Sequence, residues 1–207
     1  MTKKEKVKPG FQTEPAELRT VILVRGHMEP WELLRICAWK SAKGLAWLTL
    51  NTEDEIRNYT REAITALKAP DVPSDVLNGN LSEADWAVWE TKAGELVGAD
   101  AKHGGPSGLL RLHGVGYPVA TAILGFLAPT TFPVMDKWAV ETIFGSGSSK
   151  KRWQRKAAYR AYAERLANPK CDALKAISSL RDRDKFAMEA AMSKKGLKGY
   201  KAISLPK

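Results

Sequence analysis

Residues 109–144 read LLRLHGVGYPVATAILGFLAPTTFPVMDKWAVETIF, and this stretch decides the fold. It parses as a helix ending near Leu112, a tight turn His113-Gly114-Val115-Gly116, and a second helix from Tyr117 to about Ala128. Pro118 falls in the first turn of that second helix, where a missing N–H costs nothing. The two glycines permit φ > 0 and a close approach of another group to the backbone. Exposed N–H groups of the turn and of the second helix's N-terminus then point outward together, at the positive end of the helix dipole. Such an arrangement suits a phosphate. The competing reading is a plain helix corner whose glycines serve sterics alone. Past a loop rich in Pro and Thr, Asp136 stands before the segment KWAVETIF, as a helix N-cap or as a carboxylate with chemical work to do.

Outward from this segment the pattern is helical. A first helix is expected from about Thr13. A second, Pro30 to Lys40, carries Trp31, Leu34, Cys37 and Ala38 on one face. Thr52 and Glu55 form a capping box ahead of Ile56, Tyr59, Ile64 and Leu67. Residues 69–81, with two prolines and an Asn-Gly-Asn run, read as a loop. Ser82 opens a helix in which Trp86 and Trp89 share a face as core. Further helices are expected near 137–144, 151–167, 171–180 and 182–193. LAWLTL (45–50) suits strand and helix equally. With no convincing alternation and no internal repeat, the fold class is all-α, with roughly nine or ten helices. Residues 1–12 and 194–207 read as basic tails.

The 207 residues, 44% of them hydrophobic, suffice for one full core or two small helical lobes sharing one. The formal net charge of +10 and a pI of about 9.6 favour nucleic acid as partner, although anionic membranes and acidic proteins also attract basic surfaces. With only Cys37 and Cys171, a four-cysteine iron–sulfur cluster within the chain is excluded, and no Cys or His pair has zinc spacing. Neither a metal nor another cofactor is expected. The N-terminus lacks the apolar segment of a secretory signal, and the longest apolar run, Val119–Ala128, is too short for a bilayer. The expected location is cytoplasmic, away from membranes, and the expected state is monomeric.

The run L-x-x-L-x-G-V-G-x-x-x-A-x-x-I-L followed by F-P-V-M-D is long and specific. It resembles the helix-hairpin-helix (HhH-GPD) DNA glycosylase superfamily, in its endonuclease III/MutY-like branch but without the iron–sulfur cluster. The resemblance covers residues 109–144. It implies two helical lobes with a DNA-binding cleft between them: residues 25–128 as a helical barrel ending in the hairpin, and 13–24 plus 129–193 as the second lobe. It implies double-stranded DNA as partner, a phosphate clamp at Gly114, Val115 and Gly116 with His113 beside it, and Asp136 as the catalytic carboxylate. Breaking an N-glycosidic bond builds positive charge on the sugar, which a carboxylate stabilises. Bifunctional members carry a lysine two residues after the second hairpin glycine. Here that residue is Pro118, so the resemblance implies a monofunctional enzyme with water as nucleophile. Lys137 does not match the lysine position and reads as a phosphate contact or a solvated side chain.

Other candidates are weaker. Lys150, Lys151, Arg152, Arg155, Lys156 and Arg160 form a basic cluster that suits a phosphate track or a solvated face. Trp39, Lys40, Ser41 and Lys43 lie where related enzymes probe the duplex or line the base pocket, with plain core as the alternative for Trp39 and Trp47. The run Arg181-Asp182-Arg183-Asp184-Lys185 reads as an exposed helix start with local charge pairs. Two further function classes stay open: a non-catalytic DNA-binding protein on the same scaffold, and a helical interaction module that does not bind DNA.

Overall fold

A computed structural model of the chain describes residues 14–41, 44–71, 73, 76, 81–98, 107–145, 156–169 and 172–192. Among the described residues the regular elements are all helices, and there is no strand. In chain order the helices are α1 (Glu17–Arg25), α2 (Pro30–Lys40), α3 (Leu45–Leu48), α4 (Glu53–Leu67), α5 (Glu83–Val97), α6 (Tyr117–Leu127), α7 (Lys137–Phe144), α8 (Lys156–Ala167), α9 (Asp172–Lys175) and α10 (Leu180–Met192). The basic tails 1–12 and 194–207, Lys43, Cys171 and the cluster residues Lys150, Lys151, Arg152 and Arg155 lie outside the described residues.

The helix starts follow local chemistry. The Thr52 hydroxyl accepts from the Glu55 N–H while the Glu55 carboxylate accepts from the Thr52 N–H, and Ser82 and Asp85 repeat the device at α5. Each such cap satisfies donors that the first turn otherwise leaves open. The 45–50 segment, balanced between strand and helix in the sequence, folds as the single turn α3. The helix expected to end near Leu112 is only a 3-10 turn, Gly108–Arg111.

Helix α2 turns a different face inward from the one its tryptophan suggested. Two sets of residues share the same 3/4 spacing. The buried set is Glu32, Leu33, Ile36 and Cys37; of the expected face Cys37 is buried, whereas Trp31 is 52% and Leu34 44% exposed. Glu32 hid the correct face, because a carboxylate among apolar residues argues for solvent. Its Oε2 pairs with Arg25 and accepts the Glu29 N–H, which offsets part of the cost of burial, while Oε1 has no hydrogen-bond partner among the described residues.

The most deeply buried helix is α6, in which Val119 through Leu127 are all buried. It packs against α1, α2 and α5, while α10 lies along α7 and α8 packs on α5. Trp86 and Trp89 are core, as their spacing predicts, and Trp89 contacts both Phe132 and Tyr159. Trp47 is not core: it is 63% exposed. Among the described residues no helix is long and apolar enough to cross a membrane.

Cys37 packs in this core, and burial pushes its thiol up to about 12. With Cys37 left as the sole thiol by Cys171→Ser, a thiol-specific reagent at pH 8 is expected to react only as the chain unfolds. Rapid labelling of the folded protein would show that α2 opens readily.

Candidate functional site

The hairpin forms where the sequence places it, but its two glycines do different jobs. Gly114 has φ 79°, and a Cβ there would sit 2.7 Å from the Gly44 carbonyl oxygen and 3.1 Å from the Leu48 backbone nitrogen. Glycine is therefore required both by conformation and by the approach of α3. Gly116 has φ −88° and ψ 173°, an ordinary extended conformation, and an added Cβ would meet only the Pro118 ring at 3.9 Å. The expectation that both glycines supply positive φ thus holds for Gly114 alone; Gly116 instead leaves an open approach to the backbone. Val115 is buried in the core, whereas His113 and Gly116 are exposed. Among the described residues the N–H groups of Gly114 and Gly116 donate to no backbone carbonyl.

Asn51 pins the turn from α3's far end. Its Oδ1 accepts the His113 N–H at 2.8 Å, and its Nδ2 donates to the His113 carbonyl at 3.0 Å. Sequence reading missed Asn51, since its partner is remote in the chain and a lone Asn after a short apolar run gives no sign of one.

Asp136 is positioned by the segment before it. Gly125 of α6 allows that approach, since a Cβ there would come within 2.9 Å of the Phe132 carbonyl oxygen and 2.8 Å of Val134 Cγ2. Four side chains then hold the backbone of 131–135. Trp89 Nε1 donates to the Thr131 carbonyl (3.0 Å) and Tyr159 Oη to that of Pro133 (2.7 Å). The Val134 N–H donates to Asp184 (2.7 Å) and the Met135 N–H to the Thr121 hydroxyl (3.2 Å). A loop tied at four of its five residues by side chains of α5, α6, α8 and α10 delivers the next side chain with little freedom.

The Asp136 carboxylate divides its oxygens. Oδ1 accepts the Ala139 N–H at 2.8 Å and caps α7, while Oδ2 faces the Lys40 Nζ at 3.0 Å. The two side chains are only 13% and 11% exposed. The N-cap expected of Asp136 is therefore formed by Oδ1, while Oδ2 is paired with Lys40. The recess around it is small, about 90 Å³, and is lined by Trp39, Lys40, Val134, Asp136, Arg181, Asp184 and Met188. A larger cleft of about 660 Å³ shares Trp39, Arg181 and Met188 with it and extends past Glu14, Arg19 and Lys185. That volume lies within the range of small-molecule sites, roughly 300–1,000 Å³, whereas the recess alone lies below it.

Of the proposed probing residues, Trp39 is half-buried with the Arg181 guanidinium 4.9 Å from its ring, and Lys40 is drawn into the recess. Ser41 ends α2, its N–H donating to the Cys37 carbonyl at 2.7 Å. Lys137 is exposed and lies 5.2 Å from the exposed Trp138 ring. Arg160 is withdrawn from the basic track: it pairs with Glu83, Glu164 and Glu90 at 2.6, 2.6 and 3.5 Å and is 17% exposed.

The 181–185 run is not the exposed helix start its charges suggested. Arg181, Arg183 and Asp184 are buried. Asp184 accepts from Arg181 Nη1 at 2.5 Å as well as from Val134, and Arg183 Nη1 donates to the Leu166 and Ala167 carbonyls at 2.7 and 2.9 Å. Burial pushes the Asp184 carboxyl up to about 7, against the opposing pull of Arg181. The available signal was spacing: Arg181, Asp184 and Ala187 recur at i, i+3 beside Leu180, a face that mixes charge with core. Two cations, Lys40 and Arg181, and two carboxylates, Asp136 and Asp184, therefore line one recess.

No protein-family model matches the chain, and neither a curated protein nor a solved structure matches it.

Proposed function

We propose that this chain is a monofunctional DNA glycosylase of the helix-hairpin-helix superfamily. It hydrolyses the N-glycosidic bond of a damaged or modified base flipped out of duplex DNA. The observation that carries this reading is Asp136 itself. It leads out of a tightly tethered loop, spends one oxygen on a helix cap, and holds the other against a cation in a recess beside a larger cleft. A carboxylate oxygen so disposed suits the positive charge that develops on the sugar. The Gly114–Gly116 turn beside α6 supplies the phosphate clamp through the Gly114 and Gly116 N–H groups, which donate to no backbone carbonyl among the described residues, whereas the Val115 N–H is held by the Leu112 carbonyl at 3.1 Å. With Pro118 in the hairpin, water is the nucleophile.

The same reading divides the helices into a barrel lobe over 25–128 and a second lobe from 13–24 plus 129–193, with the DNA cleft between. In support, the Lys40–Asp136 pair joins one element from each range. The net charge of +10 suits a polyanionic partner.

A non-catalytic DNA-binding protein on the same scaffold is the second reading. It is favoured by one observation: both Asp136 oxygens are engaged, so a sugar must displace Lys40 to reach the carboxylate. Base release from duplexes carrying modified bases separates the two readings.

The clamp has its own test. Gly116→Glu fits without strain and places a charge at the phosphate site. It is expected to weaken binding to every duplex sequence by about tenfold or more and to lower the slope of log K against log salt by about one phosphate's worth. Unchanged affinity and slope would remove the hairpin from the interface.

A further inference from the structure

The Lys40–Asp136 pair has a direction as well as a distance. Heterolysis of a glycosidic bond also separates charge in a direction. The C1′–N bond breaks with its electron pair leaving on the base, so the sugar becomes positive and the base negative. Water oxygen then bonds to C1′; one of its protons ends on the base and the other stays in the new hydroxyl. A site complementary to this transition state sets a negative group on the sugar side and a positive group on the base side.

Asp136 Oδ1 is committed to the Ala139 N–H, so Oδ2 is the oxygen left to face the sugar, and that is the oxygen Lys40 Nζ holds at 3.0 Å. A sugar drawn to Oδ2 brings its bond to the base within reach of the same ammonium. Lys40 is the last residue of α2 and has a flexible stem, so it can yield Oδ2 to the sugar while staying beside the departing base. The other charges of the recess are already matched, Asp184 by Arg181 and the Val134 N–H. Once a sugar takes Oδ2, Lys40 is the cation that loses its partner and is left to face the base.

We infer that Lys40 is a catalytic residue that stabilises negative charge on the departing base, and that the site therefore favours neutral bases that leave as anions, of the uracil type, over cationic N-alkylated purines. This rests on the glycosylase reading. An already cationic base would face Lys40 as a like charge, which disfavours binding before any bond breaks. The ordinary alternative is that Lys40 serves only as a counter-ion for a poorly exposed Asp136.

Leaving-group chemistry tells these apart. Single-turnover release is measured from duplexes bearing uracil, 5-fluorouracil (a better leaving group, because fluorine acidifies N1) or 7-methylguanine, with wild type, Lys40→Met and Lys40→Arg. The wild type is expected to release both uracils and to leave the cationic purine. Lys40→Met is expected to slow uracil release about 100-fold but 5-fluorouracil release only about tenfold, since the better leaving group needs the cation less. Lys40→Arg is expected to recover most of the uracil rate. An equal loss on both uracils would make Lys40 a structural counter-ion and overturn the inference while leaving the glycosylase reading intact. A wild type that prefers 7-methylguanine would overturn the inference without needing any variant to fold. A wild type silent on all three and on every other modified duplex would remove the glycosylase reading, and this inference with it.

Discussion

Asp136→Asn is expected to lower base release by at least about 100-fold while leaving duplex affinity within a few-fold of wild type. The geometry makes this variant cleaner than most. Asn is as good an N-cap as Asp, so the bond from the Ala139 N–H to Oδ1 has a direct replacement and α7 keeps its start. What is lost is the charge on the second oxygen, the one facing Lys40. Lys40 is then left poorly exposed without its partner, so some loss of stability accompanies the change, and thermal unfolding should be recorded beside the rates. Retained release with a normal melting profile would take Asp136 out of the mechanism. Loss of release together with loss of DNA binding would point instead to a disturbed fold.

Asp184→Ala is expected to be the most destabilising of the substitutions considered, at about 3–5 kcal/mol. It removes the partner Arg181 holds at 2.5 Å, leaving it only Glu14 at 3.3 Å among the described residues, and leaves the Val134 N–H without an acceptor. For a chain of this size the fall in melting temperature should be roughly 10 °C. Asp184→Asn, which keeps an acceptor for Val134, should cost less. The pH dependence has a definite sign. Burial raises the Asp184 carboxyl from 3.8 to about 7, so between these values the folded chain holds a proton that the unfolded chain has released. The stability linked to that proton is fully present below pH 3.8 and is lost as the pH rises through about 7. Relative to Asp184→Asn, the wild type should therefore lose melting temperature across this window. A flat difference would mean that Arg181 holds the carboxylate ionised throughout.

Local signals in the sequence carried most of the helices, and the reason is physical. Capping boxes at Thr52 and Ser82, the Pro30 start and the glycine turn at 114 are short-range devices whose donors and acceptors lie within a few residues. Asp136 was legible for the same reason, as an N-cap candidate ahead of an apolar-periodic helix. What the sequence hid depended on remote partners. Lys40 stood only as one of several probing candidates; its pairing with Asp136 is set by the crossing of α2 and the 131–136 loop, which no local pattern encodes. Asn51, Arg181 and Asp184 look like surface residues until the groups that satisfy them are known. The same holds for Glu32, whose buried carboxylate turned the expected face of α2 outward.

Glycosylase activity is read by incubating the wild-type chain with duplexes carrying uracil, oxidised, alkylated and mismatched bases and following strand cleavage before and after alkali. A monofunctional glycosylase gives an alkali-dependent break at one class of modified base, with no nick beforehand, because water and not an amine attacks the sugar. Absence of any break across the panel, with tight and salt-sensitive binding to the same duplexes, would contradict that activity and leave a DNA-binding protein that performs no excision.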